Sequence, residues 1–183
     1  MTRRSAKFAL IVCLLGPTLA AADEAPGAKT AVGAYLGAQL FDAQRDLTGD
    51  DSVVEPVAAP LVGVRGTMSV PWLLVDLEAD IAFLFGLFDD DSQFQAVQGR
   101  VEVRYDFTDG DLRPFVALGP TVLAAFTEDF GNDADIGASG GAGAEWMMDD
   151  GFSLRTDARW LLADGVQGAA NDWEWTFGAA FRL

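Results

Sequence analysis

The odd positions from Leu73 to Phe85 are Leu73, Val75, Leu77, Ala79, Ile81, Phe83 and Phe85, all apolar, whereas the even positions between them include Asp76, Glu78 and Asp80. Apolar and polar residues alternating with period two mark a strand with two chemically opposite faces. The same alternation recurs along the chain. It predicts eight strands, near residues 31–41, 59–69, 73–85, 95–107, 113–126, 136–148, 152–162 and from 173 to the end. In the fourth, Val97, Val101, Val103, Tyr105 and Phe107 oppose Gln98, Arg100, Glu102, Arg104 and Asp106. In the last, Trp173, Trp175, Phe177, Ala179 and Phe181 alternate with Glu174, Thr176, Gly178, Ala180 and Arg182. No long helical stripe interrupts the series, so the predicted class is all-β.

Alternation does not by itself say which face meets water. A soluble sandwich or a lipocalin-like barrel turns its apolar face inward. A membrane barrel is inverted, apolar toward lipid and polar toward the lumen. Three features favour inversion. The expected connections alternate, with short turns near 70–71, 108–112 and 149–151 and longer ones at 42–55, 86–94, 127–135 and 163–172. The aromatic residues of the apolar face fall in two groups. Phe83, Phe126, Trp160, Trp173 and Trp175 lie toward the long-loop end, and Tyr105, Phe107, Trp146, Phe152 and Phe181 toward the short-turn end. Two aromatic girdles around an aliphatic band suit the two membrane interfaces.

The third feature is the polar face. Asp76, Glu78, Asp80, Glu102, Asp106, Glu145, Asp157 and Glu174 share it with Arg65, Arg100, Arg104, Arg155, Arg159 and Arg182. Every base is arginine, the cation best suited to bidentate pairing with carboxylates away from water. An eight-stranded barrel is narrow enough for its own side chains to fill, and buried charges there must be paired. These fourteen residues are therefore the expected lumen ion-pair network. In that reading Asp76→Leu strands an arginine and Leu77→Ala matters less.

The chain start changes the picture of location. MTRRSAK is basic, FALIVCLL is a short apolar run broken by Gly16 and Pro17, and Ala20, Ala21 and Ala22 precede Asp23. That is the layout of a cleaved secretory signal peptide. The expected organisation is a signal peptide at 1–22, a short segment at 23–30 and a barrel domain at 31–183. Val12 precedes Cys13, which argues against lipidation, and cleavage would leave 161 residues (183 − 22) with no cysteine. Removing Arg3, Arg4 and Lys7 leaves nine bases against 28 acids, a net charge of −19. Such a chain has little to offer nucleic-acid phosphates.

RPFVALGP (113–120), GAGAEWMMDDGFSLRTDARW (141–160) and WTFGAAFRL (175–183) resemble the small eight-stranded outer-membrane β-barrel family of the OmpA/OmpX type. The resemblance spans roughly residues 29–183. It implies an up-and-down antiparallel transmembrane barrel in the outer membrane of a Gram-negative-type bacterium. It also implies contact with outer-membrane lipid, lipopolysaccharide and the barrel-assembly machinery. Family members usually end in an aromatic residue, whereas this chain ends in Leu183.

With no histidine in the chain, Ser-His and Asp-His mechanisms are excluded. The paired carboxylates Asp76, Glu78 and Asp80 are read as partners of lumen arginines, and no catalytic, cofactor or metal site is expected. The acidic stretches LTGDDSVVE (47–55), FDDD (88–91) and TEDFGNDADIG (127–137) are expected to form a solvated acidic rim. Weak divalent-cation binding there is the sharper reading, although the spacing does not match an EF-hand. The expected function is that of a monomeric, non-enzymatic envelope barrel with a structural or surface-contact role. The alternatives are a narrow pore for small solutes and, more distantly, a soluble periplasmic barrel that binds an apolar ligand.

Overall fold

The computed structural model describes residues 29–42, 56–70, 72–88, 93–127, 132–148, 151–165 and 168–183. The expected signal peptide, most of the segment 23–30 and the acidic stretch 47–55 lie outside them. Eight antiparallel strands close into one barrel in chain order. They are β1 (Thr30–Leu40), β2 (Pro56–Val70), β3 (Val75–Phe88), β4 (Gln93–Asp106), β5 (Leu112–Thr127), β6 (Asn132–Met147), β7 (Phe152–Gly165) and β8 (Gly168–Arg182). The lower end of the barrel carries the start of β1 and the end of β8. The upper end carries the connection after β1.

The register fixes the shape. Paired residues run from Thr30 to Met68, Leu77, Val103, Leu118, Gly140, Trp160, Trp173 and back to β1 at Leu40. One circuit thus climbs from position 30 to position 40, a stagger of ten residues. With that stagger, closure of eight strands requires a tilt in the usual range of about 35–45° and leaves a bore that side chains can fill. Strands of 11 to 16 residues meet or exceed the roughly 9–11 that a tilted strand needs to cross a bilayer.

The connection pattern departs from expectation. Only 41–55 is long; 89–92, 128–131 and 166–167 are as short as 71–74, 107–111 and 148–151. β6 begins four residues earlier than its hydropathy suggests, and β8 five. In those extensions both faces are polar or small: Ala134 faces outward and Asp133 and Asp135 inward, Asn171 outward and Ala170 and Asp172 inward. The ladder continues, but the contrast that reveals a strand in sequence is gone.

The outer face is apolar and the interior is charged. Leu36 is 63% exposed and Trp175 70%, while Arg159 is 1% exposed and Arg100 2%. Val62, Val64, Val101, Val103, Val116, Leu118 and Phe177 are exposed on the same outer face. This continuous apolar belt far exceeds the patch a water-soluble monomer tolerates. On the belt, Phe152 packs on Phe181 with centroids 5.1 Å apart, and Tyr105 meets Phe107 edge-on at 5.4 Å, both at the lower end.

Inward glycines admit the large rings of the interior. A Cβ on Gly63 would lie 2.5 Å from the Tyr35 ring, and one on Gly86 2.2 Å from the Phe94 ring. Gly86→Val is expected to destabilise the barrel by about 1–3 kcal/mol through overpacking. In urea unfolding from micelles, the pair Gly86→Val with Phe94→Ala should then lose less than the two single changes summed.

Candidate functional site

The inward parity of each strand stacks two layers inside the barrel. The lower and middle layer is ionic. Arg159 is its hub. From β7 its Nη2 reaches Glu78 Oε1 at 2.9 Å and Glu102 Oε2 at 3.0 Å, its Nη1 donates to Asp157, and Glu174 lies 3.7 Å away. Glu78 is the matching anionic hub. It also meets Arg65 at 3.2 Å, Arg104 at 3.9 Å and Arg155, whose Nη2 donates at 3.0 Å. Arg100 crosses from β4 to Asp80 at 2.9 Å and Glu174 at 2.8 Å. Arg104 binds Asp106 at 2.6 Å and Glu145 at 2.5 Å, and Ser153 Oγ donates to Glu145 at 2.5 Å.

Neighbouring groups hold the guanidinium planes. Arg104 and Arg155 stack against the Phe115 ring, 4.2 and 4.0 Å from its centroid, and Arg65 lies 4.5 Å above Tyr35. Such contacts stabilise a desolvated cation by about 2 kcal/mol. Tyr35 also donates to Asp80 at 3.1 Å, and Ser139 donates to Glu102 at 2.7 Å.

Twelve of the fourteen residues expected in the network come together, and two do not. Asp76 and Arg182 lie at the lower mouth, beside Lys29, Arg113 and Asp106. Asp76 has no ion pair among the described residues, and Arg182 donates to Met147 Sδ at 3.4 Å. Their parity is right, but they sit half-buried at the lower ends of β3 and β8, where water competes for them. The consequence drawn for Asp76→Leu passes to Glu78, the next inward position along β3.

Sequence reading missed several members. Tyr35 and Phe115 carry the inward parity but not a charge. Asp172 falls in what looks like a connection, yet it is buried in β8, accepting from Gln39 Nε2 at 3.1 Å and from the Asp42 amide at 2.9 Å. The second layer, at the upper end, is apolar on one side, where Ala59, Leu61, Ala82, Leu84, Phe94, Ala96, Leu123 and Ala125 fill the interior with Tyr35 and Phe41 packs edge-on against Phe94, and polar on the other, around Gln39, Gln98 and Asp172. The signal was present, since Leu84, Phe94 and Ala96 share parity with Asp80 and Arg100.

Glu78, Asp80 and Glu102 bring one oxygen each within 4.8 Å of one another, a spacing a metal ion can use. Arginines already occupy that role: Arg159 faces Glu78 and Glu102, and Arg100 faces Asp80. The interior voids are small, about 20 Å³ beside Arg65 and Arg155 and about 10 Å³ beside Gln98 and Asp172. A void of that size holds about one water.

Comparison with known proteins agrees with this geometry. No curated protein matches the sequence. Among solved structures, Neisserial surface protein A superposes with a TM-score of 0.66 at 11% identity, over 86% of this chain and 99% of that one. The attachment invasion locus protein Ail of Yersinia pestis gives 0.53 at 12%, over 85% and 97%. The N-terminal β-barrel domain of Pseudomonas aeruginosa OprF gives 0.51 at 15%, over 84% and 97%. At these identities the likeness is one of fold. The outer membrane protein beta-barrel domain matches residues 8–182, and the chain therefore belongs to that family of outer-membrane barrels.

Proposed function

We propose that this is a sealed, non-enzymatic barrel with a structural or surface-contact role in the outer membrane. The observation that carries the reading is the filled interior: the Arg159 and Glu78 network spans the lower and middle lumen, and the Phe94 and Leu84 cluster fills the upper part. A continuous water path would have to pass both. The lack of histidine and the engagement of the central carboxylates by arginines support a role without catalysis. The apolar belt suits lipid, the upper rim is the surface offered to lipopolysaccharide or to partners outside the cell, and the closing strand β8 is the segment offered to the barrel-assembly machinery.

Planar-bilayer recording of the purified full chain tests the reading. No stable unitary current is expected. Reproducible single-channel steps would favour a narrow pore and overturn it.

A further inference from the structure

The small void at the upper end is lined entirely by oxygen-bearing side chains and aliphatic groups, among them Gln39, Gln98, Thr121, Asp135 and Asp172 from five different strands. Gln39 is 1% exposed and Gln98 fully buried. Both amide oxygens, Gln39 Oε1 and Gln98 Oε1, have no hydrogen-bond donor among the described residues. The direction of these amides is fixed by chemistry. Gln39 Nε2 donates to Asp172 Oδ2 at 3.1 Å and Gln98 Nε2 donates to Glu174 Oε2 at 3.3 Å. Turning either amide over would set its oxygen against a carboxylate. Two buried acceptors are thus held without protein donors beside the same void, an arrangement a native interior avoids unless a ligand meets them.

We infer that this void is a binding site for one dehydrated calcium ion, with Gln39 Oε1, Gln98 Oε1 and the Asp172 carboxylate as its central ligands. Amide and carboxylate oxygens are what a hard cation takes, and calcium accepts six to eight of them in irregular geometry. Asp135 and the Thr121 hydroxyl stand at the same void to complete the shell. Magnesium keeps most of its waters and demands an octahedron, and a space of about 10 Å³ has no room for them. The site lies inside the barrel, so it differs from a loose cloud of cations over an acidic rim. Bound calcium would tie β1, β4 and β8 together above the arginine network.

The test uses the full chain folded in detergent micelles and stripped with a chelator. Calorimetric titration with calcium chloride is expected to show one saturable event, with magnesium at least about tenfold weaker and sodium silent. Gln98→Leu should weaken calcium by about tenfold or more, the scale of losing one ligand or its support. Asp50→Asn with Asp51→Asn, in the acidic stretch 47–55, should leave it unchanged. Terbium in place of calcium reports the site in the unaltered protein: luminescence lifetimes in light and heavy water should count about two bound waters or fewer, because the cavity excludes the rest. No saturable heat, equal response to magnesium or to sodium, an unchanged Gln98→Leu titration, or terbium that keeps about four or more waters would each overturn the site.

Discussion

Arg159→Met is expected to unfold the barrel or cost it about 3–5 kcal/mol, the scale of breaking a buried ion pair by removing one partner. Arg159 is among the largest fully buried side chains, and it touches Glu78, Glu102, Asp157 and Glu174. Methionine fills much of the volume, so the loss isolates charge from packing. Glu78 keeps Arg65 and Arg155, and Glu174 keeps Arg100, but Glu102 is left with Ser139 as its hydrogen-bond donor. The double change Arg159→Met with Glu102→Gln should therefore recover part of the loss. Arg159→Lys should recover less, because one ammonium cannot reproduce a planar fork that reaches several carboxylates. Urea unfolding from micelles, followed by the shift in gel mobility on boiling, measures all three. A single-variant loss under about 1 kcal/mol, or no coupling in the double variant, would sink the idea that charge pairing holds the lumen. Asp76→Leu serves as the contrast. Half-buried at the mouth and without an ion pair among the described residues, it should cost under about 1 kcal/mol, as changes away from paired or packed sites do.

The contrast between Glu78 and Asp76 shows what the sequence could and could not carry. Period-two alternation places a residue on a face, and it did so for the members of the arginine network, Tyr35 and Phe115 included, but not for Asp172, which lay in an expected connection. It does not give depth along the barrel axis, because depth follows from the ten-residue stagger, and the stagger is the sum of eight pairing registers, the last of which joins β1 to β8 from opposite ends of the chain. Asp76 and Glu78 are two residues apart on one face, yet one meets water and the other meets four arginines. Strand ends were misjudged for a related reason. Hydropathy contrast exists where one face meets lipid. At residues 133–135 of β6 and 170–172 of β8 both faces are polar or small, so the ladder runs on without its signature. Two of the expected long connections are consequently short, and the third, 86–94, is short because β3 runs to Phe88 and β4 starts at Gln93. Loop length therefore does not mark the inversion of this barrel, whereas aromatic placement and the arginines of the inner face do.

The inverted face itself yields the second large effect. Leu36 lies midway on β1, between the pairing of Val32 with Phe181 near the lower girdle and that of Leu40 with Trp173 near the upper one. It is 63% exposed and pairs with Val62 and Phe177, both exposed as well. If the belt faces lipid, Leu36→Arg places a guanidinium near the bilayer midplane. The expected cost is about 2–4 kcal/mol in urea unfolding from phospholipid vesicles. If the belt faced water, the same change at an open surface position would stay within about 0.5 kcal/mol. Gln95→Arg supplies the reference. Gln95 is also outward and exposed, beside Phe126 at the top of the sheet, where a charge reaches the interface and should cost about 0–1 kcal/mol. A large penalty at Leu36 with a small one at Gln95 sets the lipid boundary between them, so that the upper ends of the strands stand above the bilayer. Equal penalties would push that boundary past Gln95, and none at Leu36 would return the belt to water.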